Sequence, residues 1–81
     1  MDLTVLSANL RRLRAAKGKS QVELAEAAGL SRPGYRNIEG GATAPRVDTL
    51  MRIADALGVR LEALLSTFLT DDTQPQSFAG P

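Results

Sequence analysis

Cysteine, histidine and tryptophan are all absent from these 81 residues, and one Tyr and two Phe are the only aromatic residues. Without cysteine there is neither a disulfide framework nor a thiolate metal site, and nothing that calls for an oxidising compartment. Without histidine as well, the chain has no ordinary general base near neutral pH, no imidazole ligand and no thiolate nucleophile. The carboxylates Glu23, Glu26, Asp48 and Asp55 fall at predicted helix starts or on solvated faces, where capping accounts for them. No Gly-rich phosphate loop of the GxxxxGK type occurs. These absences argue against an enzyme and against any cofactor or metal. No apolar run approaches the roughly 18 residues of a membrane span, and Met1-Asp2-Leu3-Thr4 does not open a signal peptide, so a cytoplasmic chain with no membrane partner is expected.

What is present is aliphatic. Apolar residues make up 43% of the chain against 4% aromatic, so the core has to be built from Leu, Ala, Val and Ile. That favours packed helices over stacked sheets and predicts an all-α fold. The length suits one compact domain, and a chain of this size buries only about 60% of its unfolded surface, which leaves its stability marginal. The near-neutral total charge conceals an asymmetry. Residues 1–40 carry Arg11, Arg12, Arg14, Lys17, Lys19, Arg32 and Arg36 against Asp2, Glu23, Glu26 and Glu39, a net +3. Residues 41–81 carry Arg46, Arg52 and Arg60 against Asp48, Asp55, Glu62, Asp71 and Asp72, a net −2. One side facing an anion and a different task near the C-terminus would produce this division.

Periodicity divides the chain into five helices and a tail. Leu6, Leu10 and Leu13 form one stripe and place a first helix over about 3–16, closed by Gly18. Ser20-Gln21-Val22-Glu23 is a capping box opening a second helix, about 21–28, whose apolar side is Val22, Leu24, Ala25 and Ala28. Gly29 ends it. Ser31 caps a third helix, about 32–39, with Pro33 tolerated in the first turn and Leu30 stapling toward Tyr35. The apolar side of this helix is only Tyr35 and Ile38, which leaves Arg32, Arg36 and Asn37 facing outward before Gly40-Gly41. Leu50, Ile53, Ala54 and Leu57 define a fourth helix, about 47–57, and Leu61 to about Ser66 a fifth. Residues 1–70 form the domain, and 71–81 lack periodicity and are expected to be a disordered tail.

Two short helices around a tight glycine turn, the first apolar and the second polar on its outer face, have the pattern of a helix-turn-helix. The chain closely resembles the phage-repressor-like helix-turn-helix family of Cro/C1 type, which includes the XRE regulators and restriction-modification controller proteins. The resemblance covers about residues 6–65. It rests on Leu10-Arg11-Arg12-Leu13-Arg14, Ser20-Gln21-Val22-Glu23-Leu24-Ala25, Ala28-Gly29-Leu30-Ser31, Ile38-Glu39-Gly40-Gly41, Pro45-Arg46-Val47-Asp48-Thr49-Leu50 and Ile53-Ala54-Asp55-Ala56-Leu57-Gly58-Val59.

The resemblance implies a lambda-repressor-like five-helix domain and a set of roles. Arg32, Pro33, Arg36 and Asn37 occupy positions from which such proteins reach bases or the adjacent backbone. Arg suits guanine O6 and N7, and Asn suits adenine N6 and N7. Pro33 and Gly34 depart from the family's usual hydrogen-bonding or bulkier residues, so either the backbone approaches DNA closely there or specificity is low. Ser20 and Gln21 fall at a phosphate-contacting place, and with Ser20 and Glu23 accounting for the cap, Gln21 is left free to donate. Tyr35 stands where the family buries an aliphatic residue; it is read as core, with its hydroxyl at the edge and within reach of phosphate. Arg14 and Glu39 match a structural ion pair tying the first helix to the third. The loop after the third helix contains no basic residue before Arg46, which leaves Thr43, main-chain amides and Arg46 to meet phosphates, and a shallower salt dependence than in a more basic relative.

A transcriptional regulator binding a palindromic operator in double-stranded DNA as a homodimer is the function so implied. Leu61, Leu64, Leu65, Phe68 and Leu69 crowd the C-terminal end and are the candidate dimer interface, the alternative being that some of them complete the monomer core. The rival reading is an antitoxin-type interaction module of the same fold, whose tail folds on a toxin partner. That tail has a single large apolar residue, Phe78, to serve as an anchor.

Overall fold

The computed structural model describes residues 2–66; the predicted tail, Phe68 and Leu69 lie outside them. Five helices follow one another: α1 (Leu3–Ala16), α2 (Gln21–Ala27), α3 (Arg32–Glu39), α4 (Val47–Leu57) and α5 (Leu61–Leu65). There is no strand among the described residues. Their main packing pairs are α1 with α3 and α5, α2 with α3 and α4, and α4 with α5. These pairs close a ring around one core, so every helix is held by two neighbours despite being short. No helix among the described residues is long and apolar enough to cross a membrane.

The local signals act where they stand. Asp2 caps α1 by accepting from the Thr4 amide at 2.9 Å. At α2 both halves of the capping box form, Ser20 Oγ accepting from the Glu23 amide at 3.0 Å and the Glu23 carboxylate from the Ser20 amide at 2.8 Å. The α2–α3 turn is a Schellman motif: the Gly29 amide donates to the Glu26 carbonyl and the Leu30 amide to that of Ala25. It requires a left-handed residue, and Gly29 supplies it at φ +72°. The turn directs Leu30 onto the core and places Ser31 to cap α3.

The core is Leu6 and Leu10 of α1, Leu24 and Ala25 of α2 with Ala28 just beyond, Tyr35 and Ile38 of α3, Leu50, Ile53, Ala54 and Leu57 of α4, and Leu64 of α5. Two expectations are corrected here. Val22, assigned to the apolar side of α2, is exposed. Leu64, proposed for a dimer interface, is fully buried in the monomer, while Leu61 packs partly against the core and Leu65 is 43% exposed. A helix of five residues offers one inward position per turn, and Leu64 takes it.

Sequence periodicity gave no sign of one buried polar tie. Asn9 of α1 is fully buried, and its Nδ2 donates to the carbonyls of Leu64 at 2.8 Å and Ser66 at 2.6 Å. Asn9 therefore satisfies carbonyls at the open end of α5 and ties that end to α1.

Candidate nucleic-acid interface

The site begins with α3, whose two sides differ completely. Tyr35, Ile38 and Glu39 are buried, whereas Arg32, Pro33, Arg36 and Asn37 are exposed. Pro33 stands in the first turn, where its missing N–H costs no hydrogen bond. Gly34 has a local reason to be glycine: a Cβ there would lie 2.8 Å from Ser31 Oγ, the atom that caps its own amide at 3.0 Å. The bare front of α3 thus serves the cap, and it also leaves the backbone between Pro33 and Tyr35 open.

The outward side chains are held only loosely. Arg32 comes no nearer than 4.0 Å to Glu26, both largely exposed, which is a pair worth a few tenths of a kcal/mol at most. Arg36 and Asn37 are exposed on the same face, with no side-chain hydrogen bond among the described residues. Asn37, Thr43 and Arg46, one expected at bases and two at phosphates, line a single open groove of about 320 Å³ between α3 and the loop before α4, together with Ser31, Gly34 and Thr49. Arg46 is nearly fully exposed and 3.6 Å from Asp48, so its charge is only weakly engaged.

The inner side of α3 ends in a dense polar node. Arg14 of α1 grips Glu39 with two hydrogen bonds, Nε to Oε1 at 2.8 Å and Nη2 to Oε2 at 2.9 Å. Tyr35 donates its hydroxyl to Oε1 at 2.6 Å, and Gln21 donates from Nε2 to Oε2 at 3.0 Å. Arg14 also reaches the Lys19 carbonyl at 2.9 Å, and the Ser7 hydroxyl donates to the Glu39 carbonyl. Burial by itself would raise the Glu39 pKa, but the donors from Arg14, Tyr35 and Gln21 outweigh it and hold the carboxyl at about 2. Burial, followed by the bond to Glu39, pushes the Tyr35 hydroxyl up, so it stays a donor. The Arg14 guanidinium is raised by its hydrogen bond to Glu39. A carboxylate at the C-terminal end of a helix opposes the helix dipole, and the paired cation removes that conflict.

The node changes two expected roles. Tyr35 has no exposure and gives its proton to Glu39, so a phosphate contact through its hydroxyl is withdrawn and the residue belongs to the core. Gln21 is half-buried and already bonded to Glu39, so it is not the free side chain that capping logic left over. One N–H of its carboxamide remains. Arg14 and Glu39 do form a pair, but as part of a larger node that also draws in Gln21 and Tyr35. The hydrophobic faces of α1, α2 and α3 contain no signal for this convergence; a polar residue at the start of α2 gives no hint of a partner 18 positions away.

The helix-turn-helix family model matches residues 10–64. The cryptic phage CTXphi transcriptional repressor RstR of Vibrio cholerae is 34% identical over 61 residues, 75% of this chain, which spans about half (54%) of that repressor's length. An uncharacterized HTH-type transcriptional regulator of Sinorhizobium fredii, y4dJ, is 38% identical over 74 residues, 90% of this chain and 94% of the relative. Among solved structures, the restriction-modification controller protein C.AhdI from Aeromonas hydrophila superposes with a TM-score of 0.75 at 35% identity, covering 78% of this chain and 96% of that one. The hypothetical transcription factor NHTF from Neisseria gives 0.78 at 33% identity, covering 85% and 84%. The turn geometry around Gly29, the polar outer face of α3 and these matches together place the chain in the Cro/C1-type (XRE) helix-turn-helix family of DNA-binding transcriptional regulators.

Proposed function

We propose that the chain binds a palindromic operator as a homodimer, laying α3 in the major groove of each half-site and acting as a repressor or controller protein in the cytoplasm. The observation that carries this reading is the split character of α3: Tyr35, Ile38 and Glu39 anchor it, while Arg32, Arg36 and Asn37 are exposed on the other side. An anchored helix with loosely held Arg and Asn side chains can offer bidentate donors to base edges, each worth about 1–3 kcal/mol of discrimination. Arg32 and Asn37 are the chief base readers, with Arg36 beside them and Pro33 contributing only apolar contact. Ser20, Gln21, Thr43 and Arg46 take phosphates, which set register without carrying sequence information. The repressor identity of the Vibrio relative and the controller role of the Aeromonas neighbour support the regulatory assignment.

A second copy follows from contact area: one unit meets only a half-site, and a two-fold pair engages two of them about 34–36 Å apart. Leu61 and the exposed Leu65 are the surviving candidates for that contact among the described residues. The test is fluorescence anisotropy on a labelled fragment from upstream of the chain's own gene and on scrambled DNA, at about 50 and 200 mM salt. Fragment-selective, nanomolar binding that survives the higher salt is expected. Equal weak binding to both, abolished by salt, would refute sequence-specific recognition.

A further inference from the structure

The node around Glu39 has a feature that a structural ion pair does not need: it binds Gln21, which is also a residue assigned to phosphate in the proposed function. Gln21 is the first residue of α2 and is half-buried, with Nε2 3.0 Å from Glu39 Oε2. A carboxylate only accepts hydrogen bonds, so it selects the nitrogen side of the carboxamide and rejects the oxygen side. The carboxylate itself cannot turn, because Arg14 grips both oxygens and Tyr35 holds Oε1. The carboxamide is therefore held at one end, with its second N–H available to an outside acceptor.

We propose that Glu39 is the positioning residue of a DNA-phosphate contact made by Gln21, aiming that second N–H at a backbone phosphate and fixing α2 and α3 on the duplex in one register. The proposal rests on the reading that Gln21 meets phosphate, and it adds the group that aims it. Without Glu39, the Gln21 side chain would have to be ordered on binding, losing rotamer freedom at that moment. With Glu39 in place it is ordered beforehand, by a residue of the recognition helix itself. Phosphate contact and base contact are then mechanically linked: a shift of α3 carries Glu39 and pulls on Gln21.

The test uses the full chain and a duplex recovered from a random-sequence pool, resynthesised with single methylphosphonate substitutions. In the wild type, one substituted phosphate per half-site weakens binding about tenfold, the size expected for one hydrogen bond to a charged group. Gln21→Ala loses that sensitivity and leaves the others in place. Glu39→Gln, which loses the charge and one accepting oxygen, and Glu39→Asp, whose carboxylate is one carbon short of Gln21, each first shown to be folded by circular dichroism and melting, lose most of the sensitivity at that same phosphate. A merely structural role would weaken binding without erasing one position of the map. If Glu39→Gln does not fold, Glu39→Asp, which keeps the charge for Arg14, decides. The proposal is overturned if Gln21→Ala erases the position but the folded Glu39→Gln and Glu39→Asp proteins keep it. If Gln21→Ala keeps the whole map, the phosphate contact itself is wrong and the proposal falls with it.

Discussion

Glu39 shows how much one residue can carry in a domain this small. Its carboxylate is buried, accepts from α1, α2 and α3, and keeps its charge only because those donors offset the loss of water. Removing one partner leaves an uncompensated buried charge, so Arg14→Ala should destabilise the protein by about 3–5 kcal/mol in urea or thermal unfolding. The acid dependence has a definite sign. The carboxyl's pKa falls from 4.5 to about 2 on folding, so the stability it contributes is complete above 4.5 and is lost as pH drops toward 2. That amounts to about 3 kcal/mol between pH 7 and pH 2. Melting curves should show this acid loss in the wild type and a much flatter profile in Glu39→Gln. An unchanged acid profile in the variant would mean that the node does not hold the charge as described. The pairing of Arg14 with Glu39 was legible in the sequence through family resemblance. The other members were not, because Gln21 and Tyr35 each had a sufficient local explanation, an exposed first turn and a core ring, and neither pointed to a distant carboxylate.

At the level of the helices, legibility followed the strength of the end signals. The Ser20–Glu23 box, the Ser31 cap and the glycines at 18, 29 and 58 mark boundaries by local backbone chemistry, and the structure keeps those ends. Of these, Gly29 stands in the α2–α3 turn itself, at φ +72°. A Cβ there would meet Arg52 at an ordinary 3.5 Å, so the penalty of Gly29→Ala is the left-handed backbone alone, about 1–2 kcal/mol. In a domain of this size that lowers Tm by roughly 4–8 °C for each kcal/mol. The fate of α5 was harder to see. Five residues are too few for periodicity to separate the buried leucine from its neighbours, and its anchor, Asn9, lies 55 positions earlier in the chain. The two leucines now make opposite forecasts. Leu64→Ala should cost about 2–5 kcal/mol by leaving a cavity, and Leu65→Ala should change monomer stability by no more than about 0.5 kcal/mol.

At the scale of the molecule, two surfaces among the described residues differ in character. One carries Arg32, Arg36, Asn37 and the groove reaching Thr43 and Arg46. The other carries Leu65 at the end of α5, beside the carbonyls that Asn9 holds. If a second copy docks through that end, Leu65→Glu should shift sedimentation from dimer to monomer without lowering the Tm of the isolated subunit. Sedimentation unchanged by the charge would move the interface elsewhere. Fold class and the exposed face of α3 could be read from composition, periodicity and caps because each depends on residues close in the chain. The groove could not, since it exists only once the loop before α4 is folded back beside α3.

Reading of base sequence by the outer face of α3 is tested most directly by binding-site selection from a random DNA pool, run in parallel on wild type, Arg32→Ala and Asn37→Ala. A two-fold symmetric motif is expected for the wild type. In each variant, loss of preference is expected at one position per half-site, a guanine for Arg32 and an adenine for Asn37, with the rest of the motif retained. No enriched motif, or the same motif recovered by all three proteins with only uniformly weaker binding, would contradict it.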